Sequence, residues 1–377
     1  MTSLSSIDTP AAIIDLAQME RNIARMQSRL TSLGVQFRPH VKTSKCVQVV
    51  QAQQRAGAKG ITVSTLKEAE LFFEHGFRDQ LYAVGIAPHK LERITCLKQK
   101  GCNIKIITDS ASSAFHIIQY IQQSKQPLEV WIEIDSDGHR SGIRPEQDTL
   151  LEVAQTLHQG GAILGGVMTH AGSSYELNTP EALQQMAEQE RAACVTAATR
   201  IRAANLPCPV VSIGSTPTAL SAQHLEGVTE VRAGVYVFFD LVMHNVGICQ
   251  MDEIALSVLT TVIGHQPEKG WIITDAGWMA MSRDRGTQKQ SKDYGYGQVC
   301  SADGKPMPSW IMSAGNQEHG IISYSDAVQH HIEQQFPIGT RLRILPNHAC
   351  ATGAQFPEYQ ALNAHHQINK WPRIYGW

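Results

Sequence analysis

The sequence lacks any surplus of positive charge. Lys plus Arg total 32 against 34 for Asp plus Glu, so no broad basic surface exists to neutralise a phosphate backbone or an anionic lipid face. Nucleic acid is therefore not an expected partner. Long apolar runs are missing too: none approaches the roughly 20 residues that span a bilayer. The opening MTSLSSIDTPAAIIDL has no basic stretch followed by an apolar core. No membrane association is expected, and a cytoplasmic address follows by default. The eight cysteines (46, 96, 102, 194, 208, 249, 300 and 350) lack the dense spacing of a small secreted disulfide scaffold. Most should be reduced and buried. Tandem repeats and low-complexity linkers are also wanting.

What is there is a core. Hydrophobic residues make up 42% of the 377 and charged ones 18%, which excludes a disordered composition. Single cores stop growing near about 250–300 residues, so this length predicts two domains. Between about residues 35 and 240, short β-branched runs alternate with longer helical patterns: VQFRPHV, ITVS, LYAV, IKIIT, EVWIEI, LGGVMTH, PVVSIG and TEVRAG. Eight such runs separated by helices predict an α/β fold with a (β/α)8 TIM-like barrel, although periodicity alone also allows an open doubly wound sheet. After Asp240, ALSVLTTVIG, GWIITDAG, QVCS and TRLRILPNH read as strands without long helices between them. The expected organisation is a barrel over 16–245 and a mainly antiparallel β domain over 1–15 plus 246–377, the strand-like TPAAIIDL joining the latter.

In barrels the chemistry gathers where strands end. Lys42 follows the first run, Arg140 the fifth, His170 and Tyr175 the sixth, Gly214, Ser215 and Thr216 the seventh, and Arg232 and Tyr236 the eighth. Each allows two readings. Lys42 is either an amine that forms an imine with an aldehyde cofactor or a solvated surface charge. The hydroxyl-rich Ser212–Thr218 stretch either cradles a phosphate or caps a helix. Arg140, on a glycine-flanked loop, binds a phenolate or carboxylate, or pairs with an internal acid. His170 stacks on a planar cofactor or is a satisfied core histidine. His348 and Cys350, two residues apart on a segment expected to be extended, point to one side and offer an imidazole and a thiolate to a metal such as zinc. Their alternative is a buried cysteine beside a chance histidine. Asp275–Ala280 and Gln317–Gly320 line the same pocket or form turns.

Taken in order, RPHVKTSK, WIEIDSDGHRSG, THAGSSYE, GSTPT, EVRAGVYVFFD, DAGWMAMSRD, GNQEHG and PNHACATGAQFPEYQAL resemble the fold-type III pyridoxal-phosphate enzymes. That family comprises D-threonine aldolase, eukaryotic-type D-serine dehydratase and D-threo-3-hydroxyaspartate dehydratase. The resemblance spans essentially the whole chain. It implies an alanine racemase-like barrel with a β domain, a homodimer, and pyridoxal 5'-phosphate carried on Lys42. It further implies that Arg140 contacts the phenolic oxygen, His170 lies against the ring with Tyr175 close by, and Gly214, Ser215, Thr216 and Tyr236 hold the phosphate. Arg232 would partner the pyridine nitrogen. His348 and Cys350 resemble the dehydratases' ligands for a divalent metal, zinc first and Mn, Co, Ni or Mg as alternatives, whereas the aldolases carry Asp at the second position. The implied activity is a carbon–nitrogen lyase acting on a small D-3-hydroxy amino acid, taking D-threo-3-hydroxyaspartate to oxaloacetate and ammonia, with D-serine a further substrate. Two other readings stand beside it: a D-threonine or D-3-hydroxyaspartate aldolase, and a noncatalytic pyridoxal-phosphate carrier.

Overall fold

The computed structural model describes residues 4–324 and 331–377. The chain packs into two compact units, one running Arg25–Gly234 and the other joining the chain up to Ala24 with Val235–Tyr375. The first strand, β1 (Ala11–Asp15), belongs to the second of these.

In the first unit, all eight expected runs form strands. They are β2 (Gln36–Phe37), β3 (Ile61–Val63), β4 (Asp79–Gly85), β5 (Asn103–Thr108), β6 (Glu129–Ile134), β7 (Ile163–Thr169), β8 (Val210–Ile213) and β9 (Glu230–Val231). Every pairing is parallel, in the order β2-β9-β8-β7-β6-β5-β4-β3. Past Phe37 the chain reaches His40, which bridges Thr62 of β3 in parallel. Val41 N–H donates to the Thr62 carbonyl at 2.9 Å and Thr62 N–H to the Pro39 carbonyl at 2.8 Å. These bonds join the two end strands, so the barrel reading prevails over the open sheet. Parallel strands are buried on both faces, which is why β-branched and aliphatic residues dominate them. Ile61, Val63, Ile106, Val130 and Ile132 are all 0% exposed, and Trp131 packs with Leu81, Ile107 and Met168.

The second unit holds β10 (Leu256–Gln266), β11 (Trp271–Thr274), β12 (Gly297–Ser301), β13 (Pro306–Gly315), β14 (Gly320–Tyr324), β15 (Arg341–Pro346), β16 (Glu358–Leu362) and β17 (Ile368–Pro372). The sheet runs β11-β14-β13-β12-β15-β10-β1-β16-β17, and β11 also pairs with β10. That extra pairing closes six antiparallel strands into a small barrel. Closure removes the exposed edges that an open sheet would present. The strand β1 joins this sheet antiparallel to β10 and parallel to β16. None of the eight cysteines forms a disulfide, and six of them are buried. Among the described residues, no helix is long and apolar enough to cross a membrane.

Candidate active site

The strand ends of the barrel unit bring together residues far apart in sequence. Lys42 lies on the turn just past the His40 bridge, with its side chain exposed, and its backbone N–H donates to His40 Nδ1 at 3.4 Å. Burial first, then the positive charges of Lys42 and Arg232, push the His40 imidazole well below its usual proton affinity. His170 behaves alike: burial, then Lys42, pull it down to about 3, so it is neutral near pH 7. Its Nδ1 lies 3.0 Å from the Gly214 carbonyl. A carbonyl only accepts, so Nδ1 carries the proton and Nε2 is bare. The Tyr175 ring sits 6.2 Å from that imidazole at 49°.

Arg232 is 3% exposed. Its guanidinium donates to Ser212 Oγ and to the Thr169 carbonyl, both at 2.5 Å. Burial depresses its proton affinity, while Glu230, Glu190 and Glu133 counter the loss. Gly214 has a φ of +134°, and a Cβ there would fall 2.2 Å from the Arg232 carbonyl oxygen, so only glycine fits the turn. After it, Ser215 and Thr218 form a reciprocal capping box on the helix Thr216–Ser221, and Ser174 Oγ lies 2.8 Å from Ser215 Oγ. The capping alternative is thus realised for the Ser215 side chain. Arg140 is largely exposed, its nearest acid being Glu133 at 3.6 Å. Asp135 instead accepts the Asp137 and Gly138 N–H groups, and Asp137 accepts Ser173 N–H at 2.8 Å, so both carboxylates organise loops. An exposed amine, a neutral imidazole, a buried guanidinium and a side-chain-free turn form a set that suits a flat anionic aldehyde such as pyridoxal phosphate.

In the second unit, Tyr236 is fully buried on the turn Val235–Val237. His348 and Cys350 do meet, but the expected extended alternation is not the reason. Only His348 is extended, as the N-cap of the short helix Ala349–Gly353, and Cys350 lies in that helix's first turn. His348 Nδ1 is 2.6 Å from Asp284 Oδ2. Burial works against its protonation, but Cys350, Asp284 and Asp240 outweigh it and raise its proton affinity well above the usual value. Asp240 is buried and accepts Ala349 N–H at 2.9 Å and Met243 N–H at 3.0 Å, holding the start of this helix. Among the described residues no group of three or more His, Cys, Asp or Glu gathers as a metal site. An imidazole oriented by a carboxylate beside a thiol is a donor pair that suits a borderline divalent ion while leaving coordination positions open. The segments 275–280 and 316–320 do pair: Trp278 N–H donates to the Asn316 carbonyl at 2.9 Å and Met279 N–H to that of Gln317 at 3.1 Å. Glu190, Asp240 and Asp284 escaped the sequence reading. Asp240 closes the apolar run VYVFFD, the one signal that could have marked it.

The neutral histidines carry a pH dependence. An unfolded imidazole titrates near 6.5, whereas folded His170 titrates at about 3, so below pH 6.5 the unfolded chain takes up a proton that the folded chain refuses. The stability is fully present above that value and is lost as pH falls towards 3. Allowing for partial solvent access, we expect about 1 kcal/mol lost from this residue between pH 7 and pH 5. Calorimetric melting of cofactor-free protein should show it, and His170→Phe should flatten the slope; an unchanged slope contradicts the assignment.

Residues 14–242 match the family described as alanine racemase, N-terminal domain, and residues 255–362 the putative serine dehydratase domain. The chain is 62% identical to D-threo-3-hydroxyaspartate dehydratase of Delftia sp. (strain HT23) over 377 residues, covering 100% of this chain and 99% of the relative. It is 28% identical to D-serine dehydratase of Dictyostelium discoideum, with 97% and 96% covered. The solved structure of the Delftia enzyme superposes with a TM-score of 0.99 at 61% identity, covering 100% of both chains. A Cys-to-Ala variant of a D-threo-3-hydroxyaspartate dehydratase, solved in the metal-free form, matches equally well at a TM-score of 0.99. With both units matched by family and the whole length shared at that identity, the chain belongs to the alanine racemase-like, fold-type III pyridoxal-phosphate enzymes of the D-threo-3-hydroxyaspartate dehydratase family.

Proposed function

We propose that the chain is a lyase that converts D-threo-3-hydroxyaspartate to oxaloacetate and ammonia, accepts D-serine as a second substrate, and needs both pyridoxal 5'-phosphate and a divalent metal. The observation that supports this most directly is the placing at the barrel's strand ends of Lys42 beside His40, of His170 bonded to the Gly214 carbonyl, and of Arg232 fixed by Ser212 and Thr169. Residues 16–245 are taken as the cofactor-binding part and 1–15 with 246–377 as the part carrying the metal ligands.

Bound pyridoxal phosphate supplies an electron sink that acidifies the substrate Cα–H bond. A divalent ion, zinc first, supplies a Lewis acid for the departing hydroxyl. The chain's own residues do the rest. Lys42 Nζ would hold the cofactor, and the same amine, when free, would accept the Cα proton. The neutral His170 would lie against the ring without adding charge, and Arg232, fixed by Ser212 and Thr169, would partner the pyridine nitrogen. Gly214, Thr216 and Tyr236 would hold the phosphate, and Ser215 shapes the turn, since its hydroxyl and N–H both engage Thr218. His348 and Cys350 would hold the ion. The balance closes: the elements of water leave, the resulting enamine takes water back as its imine, and ammonia departs.

The test is product analysis. Purified holoenzyme is incubated with 3-hydroxy amino acids of both configurations, with and without chelator. Oxaloacetate and ammonia in equal amounts from the D-threo substrate, and pyruvate from D-serine, are expected. Glycine with glyoxylate would transfer the chain to the aldolases, and no turnover of any substrate would leave the noncatalytic carrier.

A further inference from the structure

Glu190 is a carboxyl group in an unusual place. It sits midway along the helix Pro180–Ala203, on the same buried side as Leu183, Ala187, Cys194 and Ala197, and is 0% exposed. Acids are almost never buried so completely unless hydrogen-bonded, so the partners define the role. Those partners are two backbone amides on neighbouring barrel loops. Its Oε1 accepts Ala171 N–H at 2.8 Å and Gly214 N–H at 3.1 Å. Burial raises the carboxyl above its ordinary range, while the Thr218 hydroxyl, the amides and Arg232 pull the other way.

Both amides adjoin groups that face the cofactor. Ala171 directly follows His170, and the Gly214 carbonyl accepts His170 Nδ1–H at 3.0 Å. One carboxyl oxygen, the Gly214 residue and the imidazole thus form a closed circuit of hydrogen bonds. Gly214 itself cannot drift, because its turn lies against the Arg232 backbone. Among the described residues, Glu190 is the side chain bonded to both Gly214 N–H and Ala171 N–H. We infer that Glu190 is a positioning residue that fixes the distance between the ring-facing imidazole of His170 and the phosphate-binding turn at Gly214. The inference rests on the pyridoxal-phosphate site proposed above.

The role requires an acceptor at Oε1, which glutamine retains and leucine removes. Full-length protein stripped of cofactor is titrated with pyridoxal phosphate, and visible-region circular dichroism of the bound cofactor reports ring orientation. Glu190→Leu leaves two buried donors unsatisfied, at about tenfold each, so its Kd should rise about 100-fold and its dichroic band collapse. Glu190→Gln should stay within about tenfold of the parent and keep the band. Leucine binding with the parent's Kd and an unchanged band overturns the inference, as does glutamine behaving as badly as leucine. Should the leucine variant not fold, amide hydrogen exchange decides. Ala171 and Gly214 are expected to be protected in the parent and in Glu190→Gln, and rapid exchange at both in the parent overturns the link. Failure of the parent chain to bind pyridoxal phosphate at all would instead sink the cofactor reading, with the exchange result standing apart from it.

Discussion

Lys42→Ala is expected to lower kcat/KM for ammonia release by at least about 10⁴-fold, close to 5 kcal/mol of transition-state stabilisation. The size follows from the two tasks assigned to one amine. It attaches the cofactor, and it removes the Cα proton, a general-base role worth roughly 10²–10⁴-fold by itself. The fold should not suffer. Lys42 is exposed on the turn after the His40 bridge, while the bonds that close the barrel there are made by the backbones of Pro39, Val41 and Thr62. An exposed substitution of this kind shifts stability by only about 0.5 kcal/mol. The variant should therefore melt like the parent, lack the visible absorbance of lysine-bound pyridoxal phosphate, and turn over nothing above background. Activity within tenfold of the parent, measured at steady state with saturating cofactor, would remove Lys42 from the mechanism.

The barrel was legible because parallel strands buried on both faces need continuous β-branched runs, and each run found became a strand. The barrel closure was less visible: β2 is only Gln36–Phe37, and the His40–Thr62 bridge that completes the ring depends on partners 22 residues apart. In the β unit, β13 went unread because Pro306 and Pro308 punctuate its start. The strand β16 hid in a stretch read only as a motif, and its hairpin partner β17 fell beyond that motif. For the site, local sequence showed residues whose side chains sit at strand ends. It could not show Glu190, a carboxyl within an ordinary charged helix, because its partners are amides 19 and 24 residues away. Nor could spacing give the right reason for the His348 and Cys350 contact, since β15 ends at Pro346 and a helix begins between the two residues.

Removing the metal should cost nearly as much as removing the amine. Hydroxide is a poor leaving group, and without a Lewis acid the β-oxygen must depart against its full developing charge, so chelation is expected to reduce dehydration by about 10³-fold or more. Zinc added back should restore it. Among the described residues the proposed donors are two, His348 and Cys350, with Asp284 fixing the imidazole through Nδ1 at 2.6 Å. Such a pair cannot enclose an ion, so loss of either donor should be close to complete rather than graded. His348→Ala and Cys350→Ala should bind less than about a tenth of the metal held by the parent, by elemental analysis after dialysis, and zinc should not rescue them. Their pyridoxal phosphate content should stay at the parent's level, since neither donor is among the residues proposed to hold the cofactor. Full dehydratase activity in rigorously metal-free protein would show that a protonated side chain, not an ion, assists the departing hydroxyl, and the contact between His348 and Asp284 would then be the first place to look for the acid.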